Sequence, residues 1–335
     1  MKKALQYGLP LVLAAALLWW AYKDTNFDQM AADLRNAHYG WLALSLIPMM
    51  LSHWIRAERW RLLMQPLGFR PSAYNTFCAV MAGYFANMIL PRMGEVTRCG
   101  LLQKNEDVPL DNSIGTVVVE RIFDVLMLFF ITALAFAIEF STLTEFFMAK
   151  IEQKRAAGGS QGSSNIGFVL GGLFFAGIAA LAVFWLMREK LMQIALVVKI
   201  LDFLKGIGQG IASVAKMEKK GLFILYSLLI WVGYFATVYI SFKALPYTAS
   251  LGMVAALIIL VVGSYAMAAP VQGGLGAYHT MVSLGLVELY AQTKQGADTS
   301  ALLMHTSQTL LVIIIGAICF GLSVLAAKKK QNAAA

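Results

Sequence analysis

Ionisable side chains and a Pro–Gly break are concentrated in one stretch of an otherwise apolar chain, residues 83–124. The stretch reads GYFANMILPRMGEVTRCGLLQKNEDVPLDNSIGTVVVERIFD. Six of its charged residues adjoin apolar sequence: Arg92, Glu95, Arg98, Glu120, Arg121 and Asp124. Ionisable groups near bilayer depth are costly unless they are paired or hydrated, so they are candidates for a functional site. Guanidinium groups bind phosphate through a planar fork of donors, and carboxylates can orient that fork or accept a proton.

The first half of this stretch is predicted to be a helix that breaks at Pro91 and resumes after Gly94. Pro removes a backbone donor and disfavours helix at the residue before it, and Gly permits the bend. Once the helix resumes, Glu95 and Arg98 are three residues apart and meet on one face. Arg92 lies at the break, where its five donors can grip a phosphate. The alternative is a loop whose charges are solvated by cytoplasmic water.

The second half places three charged residues early in a membrane helix. Glu120 and Asp124 are one turn apart on a single face, and Arg121 reaches Asp124 at a spacing of three. Ser113 and Thr116 extend this polar stripe toward the start of the helix. The stripe indicates either a substrate site or an internal ion-pair network that locks helices together, and the two roles can coexist.

The composition is that of a membrane protein. Of the 335 residues, 59% are hydrophobic and 13% are charged, whereas soluble domains carry roughly 25% charge. The mean hydropathy is +0.68. The net charge of +9 does not indicate nucleic acid, because the excess Lys and Arg lie in short loops that flank apolar segments. Cys78, Cys99 and Cys319 lack metal-ligand spacing and are interpreted as free thiols that fill apolar space.

Loop charge predicts the membrane topology. Apolar runs occur at residues 5–22, 39–54, 73–90, 114–138, 166–187, 221–242, 251–269 and 301–327. Residues 23–38 hold three Asp against one Lys and one Arg, which suits the outer face. The stretch after the second run holds Arg56, Arg59, Arg61 and Arg70 and is interpreted as a cytoplasmic flank. The connection 188–220 carries seven Lys and Arg residues and is placed on the same side.

All these basic loops lie on the cytoplasmic side if residues 73–112 and 251–290 enter the membrane and return without crossing it. The predicted fold is therefore an all-α, polytopic membrane bundle with about six full crossings and two oppositely oriented re-entrant hairpins. It forms a single domain, 1–335, with both termini in the cytoplasm. Residues 139–165 are predicted to be a flexible outer loop, because they end in a Gly/Ser-rich run. Apolar and basic positions alternate at helical spacing in 188–220, which favours an interfacial helix.

The second hairpin holds a Gly-rich turn. Pro270 is followed by the sequence Val-Gln-Gly-Gly-Leu-Gly, in which Gly273, Gly274 and Gly276 permit positive φ angles and close backbone approach. The amides of the helix that follows can cradle an anion. His279 is the one histidine near this turn and is a candidate substrate-binding residue, whereas His38 and His53 are interpreted as interfacial. Glu288 and His305 are interpreted as structural partners in late helices.

Taken together, these patterns resemble the membrane domain of the lysylphosphatidylglycerol synthase/flippase family. The resemblance rests on N-x-x-x-P-R-x-G-E-x-x-R, on T-V-V-x-E-R-x-x-D and on the late G-G-L-G, and it covers residues 5–327. It implies a bacterial inner-membrane bundle with re-entrant segments that handles phospholipids or other lipid-linked anions. The implied site residues are Asn87, Pro91, Arg92, Gly94, Glu95, Arg98, Glu120, Arg121, Asp124, Gly273, Gly274 and Gly276.

Two departures from the family pattern qualify this expectation. Where the family tends to place Pro-Gly before the Gly pair and an acid after it, this chain has Val271-Gln272 and His279. The sequence therefore offers no acid for a cation or proton role at that position.

Bifunctional relatives add a large soluble domain that transfers an aminoacyl group from tRNA to lipid. The chain holds no segment that could house that domain, so aminoacyl transfer is not expected.

Three hypotheses follow. The first is a flippase-like transporter that moves an anionic phospholipid or lipid-linked anion through an Arg-lined cavity. The second is an integral-membrane transferase acting on a lipid phosphate, with Glu95 or Asp124 as general base. The third is an accessory membrane subunit whose charge clusters only hold helices together. No metal, cofactor or nucleic-acid partner is expected, and a homo-oligomer or a partner enzyme remains open.

Overall fold

The computed structural model describes residues 2–90, 93–139 and 214–334, and every regular element within them is helical. Contacts divide the chain into two compact units, residues 1–138 with 214–335, and residues 139–213. The described helices are α1 (Lys2–Tyr22), α2 (Phe27–Arg35), α3 (Tyr39–Met64), α4 (Ala73–Ile89), α5 (Met93–Glu106), α6 (Leu110–Ile138), α7 (Lys220–Ser241), α8 (Pro246–Ala249), α9 (Met253–Met267), α10 (Ala277–Tyr290) and α11 (Lys294–Ala334). The all-α membrane bundle predicted from sequence is confirmed.

Three described helices are long and apolar enough to cross a membrane: Leu110–Ile138, Lys220–Ala244 and Lys294–Ala333. Two shorter apolar helices are Pro10–Tyr22 and Met253–Met267. The number of crossings, the re-entrant character of the two hairpins and the single-domain organisation stay predictions. The outer loop 139–165 and the connection 188–220 lie outside the described residues, except for the end of the connection from Val214 onward.

Helix α2 replaces part of the loop expected at residues 23–38. The side chain of Asn26 caps it by accepting a hydrogen bond from the backbone N–H of Gln29 at 3.1 Å. Asp28 lies in the first turn and Arg35 in the last, which suits the helix dipole. The hydroxyl of Tyr247, within α8, donates to Asp33 at 2.9 Å and fixes α2 against the bundle.

Helix α3 contains most of the Arg-rich stretch that was interpreted as a cytoplasmic flank. The helix does not end near Trp54 but continues to Met64, and it buries both Arg56 and Arg59. Its last turns carry apolar residues into the core, with Trp60 fully buried. A long helix that is apolar at both ends of an arginine pair can bury that pair when other helices supply carboxylates.

The expected helix break is present between α4 and α5. Helix α4 ends at Ile89, and α5 resumes at Met93, slightly earlier than the sequence suggested. The side-chain oxygen of Asn87 accepts a hydrogen bond from the backbone N–H of Gly94 at 2.7 Å. The two arms cross where Gly83 meets Gly94, and a Cβ on Gly94 would lie 2.3 Å from the carbonyl oxygen of Gly83. Only glycine permits this approach.

The Gly-rich turn lies between α9 and α10, against α1 and the end of α4. Gly273, Gly274 and Gly276 have φ angles of 54°, 75° and 78°, which confirms the prediction of positive φ. A Cβ on Gly276 would lie 2.6 Å from Cβ of Leu17 on α1. A Cβ on Gly273 would lie 2.4 Å from Cε of Met88 on α4. The turn therefore holds two helices at close range.

Candidate functional site

A buried charge cluster joins α3, α5 and α6, and its centre is Asp124. One carboxylate oxygen of Asp124 accepts from Nη1 of Arg56 at 2.6 Å, and the other accepts from Nη2 of Arg59 at 2.6 Å. Both arginines come from α3, where they are three residues apart on one face. Arg59 also donates to the hydroxyl of Ser227 on α7 at 3.1 Å. The cluster thus ties α3, α6 and α7 together.

Glu120, one turn before Asp124, is fully buried, and three buried arginines contact it. It accepts from Arg56 at 3.0 Å and lies 3.6 Å from Nη2 of Arg59. Nη1 of Arg98 reaches its two oxygens at 3.4 and 3.3 Å. A carboxylate without water is tolerated only when it is paired, and Glu120 is paired on several sides.

Arg121 and Glu95 form the more open side of the cluster. The Arg121 side chain is 44% exposed, and its Nε lies 3.7 Å from Glu95. Its Nη1 lies 3.5 Å from Asp124 and its Nη2 3.9 Å from Glu120. Glu95 and Arg98 therefore pair with residues of α6 and not with each other along α5. Ligands can approach the cluster where these weaker contacts lie.

The described part of the cluster holds one more positive than negative charge. The guanidinium groups are Arg56, Arg59, Arg98 and Arg121, and the carboxylates are Glu95, Glu120 and Asp124. Arg92 lies outside the described residues. An internal network built only to lock helices has no need of excess charge, and the imbalance favours an anion as an additional partner.

Arg98 has donors that nothing in the described structure satisfies. Its Nε and Nη2 atoms are buried and lack a hydrogen-bond partner. Its guanidinium carbon lies 4.5 Å from the ring centroid of Trp60, a cation–π contact that orients the group. The indole N–H of Trp60 in turn donates to Thr116 at 2.9 Å. The free donors of Arg98 are thus held in place, in the geometry that suits a phosphate or carboxylate oxygen.

Sequence reasoning missed four members of this site. Arg56 and Arg59 were assigned to a solvated flank, and His53 was assigned to the interface. His53 is buried, its ring lies 4.8 Å from that of Tyr84, and neither of its nitrogens has a partner among the described residues. The hydroxyl of Tyr234 accepts from Nη2 of Arg56 at 3.2 Å. The sequence signal that could have identified the two arginines was their spacing with Trp60 within an unbroken helical pattern.

The remaining predicted site residues lie at the two turns. Asn87 holds the α4–α5 break, and the three glycines and His279 form the other turn. The two regions meet through Met88, which touches Gly273. Within the described residues, no hydrogen bond or ion pair joins the turn to the charge cluster. The clustering of Glu95, Arg98, Glu120, Arg121 and Asp124 is thus observed, whereas a part for the turn residues in the same site stays a prediction.

An apolar cavity of about 350 Å³ lies between α6, α7 and α9. Its lining includes Met127, Ile131 and Leu134, which follow Asp124 by three, seven and ten residues on α6. These spacings place them near the same face of the helix as Asp124. Trp231 on α7 also lines the cavity, and its ring is 6.0 Å from that of Tyr234, which bonds Arg56. The apolar cavity and the charge cluster therefore lie next to each other along α6 and α7.

The fold and the paired charges define an integral membrane protein with a helical bundle and a buried, Arg-rich polar centre. The chain belongs to the family described as the lysylphosphatidylglycerol synthase TM region, whose model matches residues 8–316. It is 32% identical over 124 residues to the UPF0104 membrane protein MJ1595 of Methanocaldococcus jannaschii, a match covering 36% of each chain.

A second relative is the glycosyltransferase AglD of Haloferax volcanii. The identity is 26% over 120 residues, which is 36% of this chain and 19% of that protein. The chain thus spans about a third and a fifth of the two relatives that it matches. No solved structure matches.

Proposed function

We propose that this protein is a flippase-like transporter that moves an anionic phospholipid or lipid-linked anion between leaflets. The observation that carries the proposal is the unsatisfied donor edge of Arg98 in a cluster with excess positive charge. A phosphate oxygen would satisfy that edge, and burial would strengthen the contact. The proposed setting is the bacterial inner membrane, with both termini in the cytoplasm.

The carboxylates have a defined part in this mechanism. While no lipid is bound, Glu120 holds Arg98, and Glu95 holds Arg121. An arriving headgroup replaces these contacts in part, because they are the longer ones of the cluster. Arg56 and Arg59 keep their short bonds to Asp124 and maintain the frame. The headgroup thus replaces the carboxylates on Arg98 and Arg121, and no buried charge is left without a partner during the exchange.

The acyl chains are assigned to the apolar side of the same helices. The cavity between α6, α7 and α9 begins one turn beyond Asp124. A lipid whose phosphate lies at Arg98 and Arg121 can extend its chains along Met127 and Ile131, so the chains stay in hydrocarbon while the headgroup crosses. The hydrophobic contribution per buried methylene, about 0.8 kcal/mol, favours this arrangement.

Reconstitution in liposomes tests the proposal. Fluorescent phosphatidylglycerol, fluorescent phosphatidylcholine and a lipid-linked sugar phosphate are incorporated, and accessibility to an external quencher reports movement between leaflets. Wild-type protein is expected to accelerate at least one anionic lipid over protein-free liposomes, and Arg98→Gln is expected to lose that acceleration. Arg35→Gln, an exposed change at the end of α2, is the matched control. Equal rates for Arg98→Gln and wild type would overturn the proposal.

A second candidate function is transfer of a group to or from a lipid phosphate. The name of the glycosyltransferase relative favours it, and so does the Oε2 atom of Glu95, which is buried without a partner in the described structure. Glu95 would then be the general base. Lipid mass spectrometry of cells with and without the protein separates the two: a transferase leaves a covalently altered lipid, whereas a transporter leaves lipid masses unchanged.

A further inference from the structure

Two buried imidazoles bind the two ends of the Gly-rich turn. The Nδ1 atom of His279 accepts a hydrogen bond from the backbone N–H of Gly276 at 3.4 Å. The Nε2 atom of His305 lies 2.9 Å from the carbonyl oxygen of Gly273. Because a carbonyl only accepts and an amide only donates, His305 carries its proton on Nε2 and His279 carries its proton on Nε2 as well. Each imidazole therefore has one tautomer fixed by the turn.

The two rings are in direct contact. Their centroids are 4.7 Å apart in an edge-to-face arrangement, and both side chains are buried. Tyr278 stacks on His305 at 4.9 Å, and the ring of Tyr22 from α1 lies 5.7 Å from that of His279. At this separation two imidazolium charges would repel strongly in a medium of low dielectric. The pair can therefore hold one additional proton but not two.

Two polar atoms beside the pair have no partner among the described residues. They are Nε2 of His279 and the hydroxyl oxygen of Tyr22, and both are buried. A buried donor without an acceptor is costly, about 1–3 kcal/mol, and such groups call for an explanation by water or by function. Here a donor and a group that can both donate and accept lie next to each other, as a water-mediated proton path requires.

A polar column runs from a point one turn beyond His279 to the protein surface. Ser283 lies one turn after His279 on α10, and its hydroxyl donates to Asp298 at 2.5 Å. Asp298 lies two turns before His305 on α11 and also accepts from Thr25 at 2.6 Å. Lys294 bonds the same carboxylate, and its side chain is 47% exposed. Hydroxyl and carboxylate groups thus connect a surface lysine to Ser283, one turn from His279 on α10, and no hydrogen bond among the described residues joins Ser283 to either imidazole.

We propose that His279 and His305 form a single-proton binding site that couples lipid movement to a proton gradient, and that the Asp298 column supplies it. The proposal rests on the proposed transport function and adds the driving ion to it. A proton that enters from water adds to the free lone pair on Nδ1 of His305 or to Nδ1 of His279. The first leaves the bond to Gly273 intact, whereas the second removes the acceptor of Gly276.

Titratable groups on the helices packed around the turn affect the charge of the His279–His305 pair. Tyr22 comes from α1, Tyr278 from α10, and Asp298 with Lys294 from α11. The charge of Lys294 offsets that of Asp298 at the surface end of the column. The pair itself contacts no other charged side chain among the described contacts. Charging the pair therefore acts on the turn, where three glycines already have positive φ angles.

The experiment uses proteoliposomes with fluorescent phosphatidylglycerol and an internal pH dye. Wild type is expected to move lipid faster when a pH gradient is imposed and to take up protons with the lipid. His279→Asn retains an acceptor near the Nδ1 position, and His305→Gln retains a donor near the Nε2 position. Both are expected to lose gradient stimulation and proton uptake, whatever their rate of exchange without a gradient. His38→Gln, at the exposed start of α3, is the matched control.

A second measurement does not depend on transport. Nitrogen-15 spectra of histidine-labelled protein in liposomes, compared with those of the variants, are expected to show one proton, and not two, binding to the His279–His305 pair as the pH is lowered. Two imidazoles that both stay neutral for as long as the protein remains folded would overturn the proton site. Lipid transport without any response to the gradient would overturn the coupling and leave the transport function intact. One-proton titration in a protein that moves no lipid would overturn the transport function and the coupling, and would leave the proton site.

Discussion

Arg56 and Asp124 form an ion pair of 2.6 Å between Nη1 and Oδ2, and it joins α3 to α6 across 68 positions of sequence. The pair is buried, with side-chain exposures of 6% and 14%. A buried pair of this kind contributes little compared with an apolar pair, but the loss of one partner leaves a buried charge. The same carboxylate also binds Arg59, so two guanidinium groups depend on Asp124.

Asp124→Asn is expected to destabilise the protein more than any exposed Asp substitution. Removal of one partner from a buried pair costs about 3–5 kcal/mol, and Arg56 and Arg59 would both lose charge compensation. The measurement is the thermal unfolding midpoint in detergent. Asp107→Asn is the control, because the Asp107 side chain is 81% exposed. Equal midpoints for the two variants would show that the cluster does not stabilise the bundle.

Arg98→Lys separates a binding role from a locking role. Lysine retains the positive charge toward Glu120 but loses the fork of donors and the planar contact with Trp60. If Arg98 binds phosphate, lipid movement falls about tenfold or more, since a charge-assisted hydrogen bond contributes about 1.5–3 kcal/mol. If the cluster only locks helices, as in an accessory subunit, transport and the unfolding midpoint both remain near those of the wild type.

Gly94→Ala is expected to destabilise the α4–α5 crossing. The new Cβ would lie 2.3 Å from the carbonyl oxygen of Gly83 and 2.6 Å from Nδ2 of Asn87, so the backbone must move. Such overpacking costs about 1–3 kcal/mol. Gly100→Ala on the same helix meets no atom within 4 Å, and it is expected to be neutral or to stabilise the helix by up to about 1 kcal/mol. Unfolding midpoints of the two variants compare the effects directly.

Leu257→Trp tests the assignment of the apolar cavity to acyl chains. Leu257 lines the cavity, and indole would fill part of its volume. Movement of long-chain phosphatidylglycerol is expected to slow, and movement of a short-chain analogue is expected to change less. Leu310→Trp places the same ring on α11 at a position that is 52% exposed. Identical chain-length profiles for both variants would argue against the cavity as a lipid site.

The sequence predicted the local features of the site well. The break between α4 and α5 followed from Pro and Gly chemistry, and the positive φ angles at Gly273, Gly274 and Gly276 were expected for the same reason. The free, buried cysteines were also expected. The spacing of Arg121 and Asp124 predicted their contact. Each of these depends on residues close together in sequence, for which periodicity and backbone preference are informative.

The long-range partners could not be predicted in the same way. Arg56 and Arg59 were interpreted as part of a cytoplasmic flank because the positive-inside rule treats arginines at a helix end as a loop signal. Their actual position depends on Asp124, more than sixty residues later, and no spacing rule connects the two. The hydrogen-bond partner of His305 could not be predicted either, since it is a backbone carbonyl on another element. Tertiary packing decides such pairs.

The lengths of the ion pairs divide the polar centre into a stationary side and an exchangeable side. Asp124 is bound to α3 at 2.6 Å on both oxygens, and Arg59 continues the connection to α7. Among the described residues, the ion pairs that join α5 to α6 are the longer contacts of Arg98 and Glu95. Since α4 and α5 touch backbone to backbone at Gly83 and Gly94, they can shift together as one body. Headgroup passage would then require one hairpin to move against a fixed three-helix wall.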